Sequence, residues 1–158
     1  AGFGFTQDVV LKSGLVLAGI GDIGFKVKNF TAENMATLDR DWDTISDSLK
    51  LAAGLLSDFG LSSATLTAGS VLIPIAYYVH ARGLTQKYRE SVSHAADRQV
   101  LRAWTLRSLI VPGVWGSGLD SLLRDLRQAD PAAPDYAALL GAVMETVNGI
   151  AAGLKTTG

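Results

Sequence analysis

The stretch that decides the fold is TAENMATLDRDWDTISDSLKLAAGLLSDFG, from Thr31 to Gly60. Its apolar or small residues Met35, Leu38, Trp42, Ile45, Leu49, Ala52, Leu56 and Phe59 are separated alternately by three and four positions. That spacing puts them on one side of an α-helix as a heptad stripe about four repeats long. Thr31 is placed to accept a backbone N–H as N-cap, Glu33 suits the positive end of the helix dipole, and Gly60 can adopt the left-handed conformation that ends a helix. The other side carries Asp39, Asp41, Asp43, Asp47 and Lys50. The spacing therefore predicts one long helix with a solvated face and a face buried against partner helices.

Working outward, a shorter helix is predicted from about Thr6 to Leu17, capped by Thr6, with Val10, Leu11 and Leu15 inward and Gly19 and Gly21 closing it. Residues 23–30 alternate weakly and read as a short extended piece. A third helix begins around Ala68 and ends at Gly83; Pro74 fits within it near the first turn or at a kink, because proline has no N–H to donate. Residues 84–94 are polar and without period, as in a loop or frayed helix. A fourth helix covers residues 95–111, with Val100, Leu101, Trp104 and Ser108 inward, and stops at Pro112-Gly113.

Beyond it, Ser117-Gly118-Leu119-Asp120 has the spacing of a capping box, ahead of a stripe at Leu119, Leu122, Leu123 and Leu126. A final stripe runs through Tyr136, Leu140, Val143, Val147, Ile150 and Leu154. The expected fold is all-α: a single bundle or array of about six helices with little or no strand. Residues 1–129 form the helical core domain, 130–134 a Pro-rich linker, and 135–158 a C-terminal amphipathic helix packing on that core. A chain of 158 residues suits one domain with a sizeable core.

Charge and composition narrow the function. A net charge of −1 gives no global pull toward nucleic acid or anionic lipid. The chain has no cysteine, which excludes disulfides, a thiol nucleophile and thiolate zinc sites. No apolar run reaches the roughly 18 residues a membrane span needs, and no basic segment precedes the first apolar run. Together with the Ala-Gly start, this gives the expectation of a cytoplasmic, soluble piece of a longer protein, without a signal peptide and without a membrane partner.

Several patterns invite a chemical reading. Gly19-Ile20-Gly21-Asp22-Ile23-Gly24 matches G-x-G-x-x-G, but a dinucleotide site needs a helix opening at the third glycine and an acid at the end of a second strand. Phe25 to Phe30 does not start such a helix, and Asp41 and Asp43 fall inside the long one, so a turn is expected and no cofactor. Asp43 and Asp47 share a face, yet no histidine joins the acids, so they read as a solvated helix side rather than a metal site. His80 and His94 lack a positioned nucleophile or metal-pair spacing, which favours structural or surface roles. Ser117 is explained by capping. No catalytic, cofactor-binding or metal residue is assigned. The candidate phosphate or DNA contacts are Lys87, Arg89, Arg98, Arg102 and Arg107, near Trp104 and Trp115, since such affinity rests on cations neutralising phosphates. Against this, Arg124 and Arg127 are interleaved with Asp120, Asp125 and Asp130, and Trp104 is on the inward stripe.

The order of Leu72-Ile-Pro-Ile-Ala-Tyr-Tyr-Val79, then Arg102-Ala-Trp-Thr-Leu-Arg-Ser-Leu-Ile110, then the Gly- and Ser-rich turn and leucine-rich run from Gly113 to Leu126, resembles one bacterial family. It is domain-of-unknown-function family 262, whose members include GmrSD-type restriction enzymes. Phe5-Thr-Gln-Asp8, Phe25 to Phe30 and Trp42-Asp-Thr-Ile45 also resemble its middle region, so the likeness spans roughly residues 5 to 128. Such proteins carry a ParB/sulfiredoxin-like domain with a D-G-Q-Q-R-type motif, and many add an HNH-type nuclease domain. Neither motif occurs in this chain, so no catalytic role carries over to any residue. The resemblance implies a non-catalytic helical module of a restriction or anti-phage protein. Its partners would be the flanking N-terminal and C-terminal domains, and DNA through the parent. The alternatives are a stand-alone module that forms a homodimer through the heptad stripe, and a DNA-contacting module using the Arg-rich second half.

Overall fold

The computed structural model describes residues 2–20, 27–110 and Trp115. Among them are four α-helices: α1 (Gln7–Leu17), α2 (Ala32–Asp58), α3 (Leu72–Ala81) and α4 (Ala95–Ile110). Short 3-10 turns cover Val27–Asn29, Gly69–Val71, Gln86–Arg89 and Val92–His94. The described residues contain no strand, so the all-α expectation holds with four helices rather than about six. The two further helices expected near Leu119 and from Asp135, the 130–134 linker and the capping box at Ser117 lie outside the described residues.

The starts and stops follow local chemistry. Thr6 Oγ1 accepts from the Val9 N–H at 3.3 Å and Thr31 Oγ1 from the Asn34 N–H at 3.2 Å, so both predicted N-caps are in place. Asn34 also donates its side-chain amide to the Asn29 carbonyl at 2.8 Å, tying the helix to the turn before it. Three helices end in one way. Gly19, Gly60 and Gly83 have φ of 73°, 89° and 61°. The next N–H in each case reaches back to the helix: Ile20 to the Leu15 carbonyl, Leu61 to Leu56, Leu84 to Val79. This is the Schellman arrangement, in which glycine takes the left-handed turn and an apolar residue folds back over the last turn.

The middle of the molecule is α3. Every residue from Leu72 to Val79 is buried, as befits a helix that is apolar on all sides. It lies against both α1 and α2. Pro74 sits at the third position of α3, after the 3-10 turn Gly69–Val71. The first four N–H groups of a helix have no intrahelical acceptor, so proline there removes no bond. α1 contributes five consecutive buried residues, Ser13 to Leu17, because its C-terminal end enters the core. Its Gly14 lets α2 approach closely: a Cβ there would lie 3.1 Å from Leu38 Cδ2.

Several inward assignments are corrected. On α2, Met35 and Trp42 are 44% and 39% exposed, whereas Ser48, Leu51 and Leu55, outside the heptad stripe, are buried. A straight helix drifts about 20° per heptad from a 3.5-residue repeat, and a helix serving two neighbours buries a wider face than a coiled-coil seam. The buried face of α2 accordingly lies at Leu38, Ile45, Ser48, Leu51, Ala52, Leu55, Leu56 and Phe59, most of it in the second half. On α1, Val10 and Leu11 are only partly buried. On α4, Val100 is exposed while Leu101, Trp104, Thr105 and Ser108 are buried. The piece expected to be extended ends instead in the 3-10 turn Val27–Asn29, where Asn29 is buried. Residues 84–94 hold two 3-10 turns that bury Tyr88, a firmer structure than a loop.

Truncating Leu55, fully buried, to Ala should cost about 2–5 kcal/mol in urea unfolding, whereas Met35→Ala should stay within about 0.5 kcal/mol. Equal losses would restore the heptad seam.

Candidate functional site

Three polar side chains from the end of α3 and the segment after it meet at Asp97, in the first turn of α4. Its Oδ2 accepts from the Tyr78 hydroxyl at 3.0 Å, the Tyr88 hydroxyl at 2.9 Å and Arg82 Nη1 at 2.9 Å. A carboxylate suits that position because the N-terminus of a helix is its positive end. Arg82 also lies over the Tyr78 ring, 5.1 Å from its centroid. Arg98 completes the cluster by donating through Nη1 to the Tyr88 and Ser91 carbonyls at 2.7 and 2.6 Å. Asp97 is only 16% exposed, and the ring bodies of Tyr78 and Tyr88 are buried. The arrangement fastens α4 to the end of α3 and to the turn Gln86–Arg89. Three donors converge on one carboxylate oxygen, and this directional contact holds geometry.

A second polar constellation lines an open cleft of about 510 Å³ between α2, the end of α3 and the segment after it, with Thr44, Asp47, His80, Leu84, Thr85 and Lys87 on its walls. At its base Ser48 Oγ donates to the Thr44 carbonyl at 3.0 Å and lies 3.1 Å from His80 Nδ1. The one Ser48 hydroxyl proton has two acceptors in reach, the Thr44 carbonyl and His80 Nδ1. The direction of the Ser48–His80 contact follows the imidazole tautomer, with Nδ1 donating in one form and accepting in the other. Burial holds the His80 pKa below its ordinary value of 6.5, with Asp41 pulling more weakly the other way. Ser48 is buried, at 5% exposure, and is also within reach of the Thr44 carbonyl of its own helix.

Of the five candidate phosphate contacts, Arg89 and Arg98 are engaged within the chain. Arg89 forms a two-point ion pair with Asp58, both contacts at 2.8 Å, and lies across Gly54, where a Cβ would come within 2.8 Å of its guanidinium. Its pKa is raised, first by the hydrogen bond to Asp58. Arg98 is held by two carbonyls. Lys87, Arg102 and Arg107 are exposed, but Arg102 and Arg107 project about 140° apart around α4. Trp104 is buried and meets Trp115 edge to face at 6.1 Å, so neither ring forms an exposed stacking platform. Of the predicted sites, His94 contacts Ser91 Oγ at 3.1 Å and the Tyr88 ring edge-on, in a surface turn. Asp41 pairs with Arg40 and Asp47 with Lys50 on the solvated side of α2. No group of three or more metal-ligating side chains occurs among the described residues.

Sequence reasoning passed over Asp97, Tyr78, Tyr88 and Ser48. The separations of 19, 9 and 32 residues have no periodic signature; the one local cue was an acid in the first turn of a helix. The described residues form an all-α fold with a buried central helix. No protein-family model matches this chain, and no curated protein matches it.

Asp97→Asn removes the charge and turns an amide toward three donors, so it should lower stability by about 1–3 kcal/mol in urea unfolding, and more than Tyr88→Phe. The pH response follows from His80. Because its folded-state pKa is depressed, the unfolded chain binds the proton more readily. Its contribution is complete above 6.5 and is lost as the pH falls from there toward the lower folded value. The melting temperature should drop across that window in the wild type and drop less in His80→Gln. An equal drop in both proteins would remove His80 as the cause.

Proposed function

We propose that this chain is a non-catalytic helical module of a bacterial restriction or anti-phage protein, whose nucleotide-hydrolysing ParB-like domain and HNH-type nuclease domain lie outside it. The observation that carries this reading is the use made of the family-like stretches. Leu72 to Val79 is entirely buried, and the Arg102–Ile110 run places Trp104, Thr105 and Ser108 inside. Stretches of this kind preserve a scaffold rather than a reaction. The polar residues brought into contact serve the same end: Asp97 holds α4, Ser48 bonds its own helix, Arg89 and Arg98 are paired within the chain. The module's partners are the parent's flanking domains, and through them DNA. Its compartment is the cytoplasm. No described helix is long and apolar enough to cross a membrane, in keeping with that placement.

A second reading, direct DNA contact, is favoured by the exposure of Lys87, Arg102 and Arg107. It requires binding that weakens steeply as salt rises.

The chain should hydrolyse neither DNA nor nucleoside triphosphates; robust hydrolysis abolished by His80→Gln or Asp97→Asn would overturn the proposal. Leu49 is half-buried against the core, so Leu49→Asp should leave a monomer that unfolds more readily. A folded variant that changes from dimer to monomer would instead establish a self-association module.

A further inference from the structure

The first half of α2 departs most from its expected burial. Between Ala32 and Thr44 only Leu38 is buried. Met35 and Trp42, 44% and 39% exposed, are seven residues apart and so share one face. Asp39, four residues after Met35 and three before Trp42, is beside both, and Asp43, four residues further, borders the same face, whereas the spacing had put both acids on the other side. α2 carries six acids against two bases, a charge of −4 in a chain whose total is −1. Asp41, Asp47 and Asp58 are neutralised by Arg40, Lys50 and Arg89. Asp39 and Asp43 form no ion pair among the described residues, and they are the two that flank the exposed ring. The ring itself is held from below: Trp42 Cζ3 lies 3.9 Å from the position a Cβ would occupy on Gly14, beside the buried Leu38.

We propose that this face, with Trp42 and Met35 bordered by Asp39 and Asp43, is a docking surface for a basic amphipathic polypeptide segment. A large aromatic ring that is partly exposed on a regular helix is the kind of side chain that anchors interfaces. Unpaired carboxylates beside it select lysine or arginine in the partner and speed its encounter. The same carboxylates repel phosphate, so nucleic acid and anionic lipid are poor occupants. The inference rests on the exposure and charge of α2 and stands whether or not the parent is a restriction protein.

The test uses a synthetic helical peptide of about 15 residues, long enough to be helical once bound, with Leu at three-and-four spacing and Lys elsewhere. Two companions carry Glu in place of Lys, or Ser in place of Leu. Tryptophan emission is compared between wild type and Trp42→Phe, which isolates Trp42 from Trp104 and Trp115. The Leu/Lys peptide should bind saturably, shift emission in the wild type only, and weaken as salt rises. Affinity should fall at least tenfold in the Asp39→Asn, Asp43→Asn double variant, whose exposed substitutions leave the urea midpoint unchanged, and likewise for the Ser peptide. Met35→Ser should weaken binding without touching charge. The proposal is overturned if the Glu peptide binds equally, or if neither the Asp double variant nor Met35→Ser changes affinity. It is also overturned if the protein alone shows concentration-dependent mass that Trp42→Glu abolishes, which would make a second copy the occupant.

Discussion

From Leu72 to Val79, helix α3 has no face that water can wet. Each of these side chains is buried, and the only way to keep such a helix in an aqueous protein is to cover it on all sides. α2 supplies one wall with Leu51, Ala52, Leu55 and Leu56, and α1 another with Leu15, Val16 and Leu17. At roughly 25 cal/mol per Å² of apolar surface removed from water, this enclosure is the main driving force available to the fold. The rest of the structure follows from it. The long α2 is buried where it passes α3 and exposed where it runs beyond, and the glycine turns at Gly19, Gly60 and Gly83 reverse the chain close to the central helix.

The fourth helix is fastened differently. α4 inserts Leu101, Trp104, Thr105 and Ser108 into the same core, but its start is positioned by the Asp97 carboxylate gripping Tyr78, Arg82 and Tyr88. A hydrogen-bonded clasp of this kind is directional where apolar contact is not. It specifies which end of α4 meets which end of α3. Arg98 and Arg89 extend that specification to the turn between them, one through backbone carbonyls and the other through Asp58. These basic residues look, from composition, like material for a phosphate-binding surface; the fold uses two of them internally.

How much could be read in advance differs by element. The bounds of α1 and α2, their threonine caps and the closing glycines at 19, 60 and 83 were legible because each depends on residues within one turn. The side of α2 that would be buried was legible only in its second half. Met35 and Trp42 carry the same spacing as Ile45 and Leu56, and nothing local distinguishes a stripe with a partner from one without. Tyr88, in a segment without periodicity, gave no sign of being buried. The candidate site was less legible still. The Ser48–His80 contact spans 32 residues, and the depression of the His80 pKa arises from burial that no neighbouring residue announces.

The sequence by itself determined the class of structure, since helix caps, three-and-four spacing and glycine stops act within a few residues of where they are written. That α3 is central was settled in three dimensions, where all eight residues from Leu72 to Val79 are buried between α1 and α2. Tertiary structure alone decided which acids would be paired and which left open, which arginines would be consumed, and that Asp97 would become the clasp. Those outcomes depend on distances between residues remote in the chain, and such distances are set only when apolar surfaces close around α3.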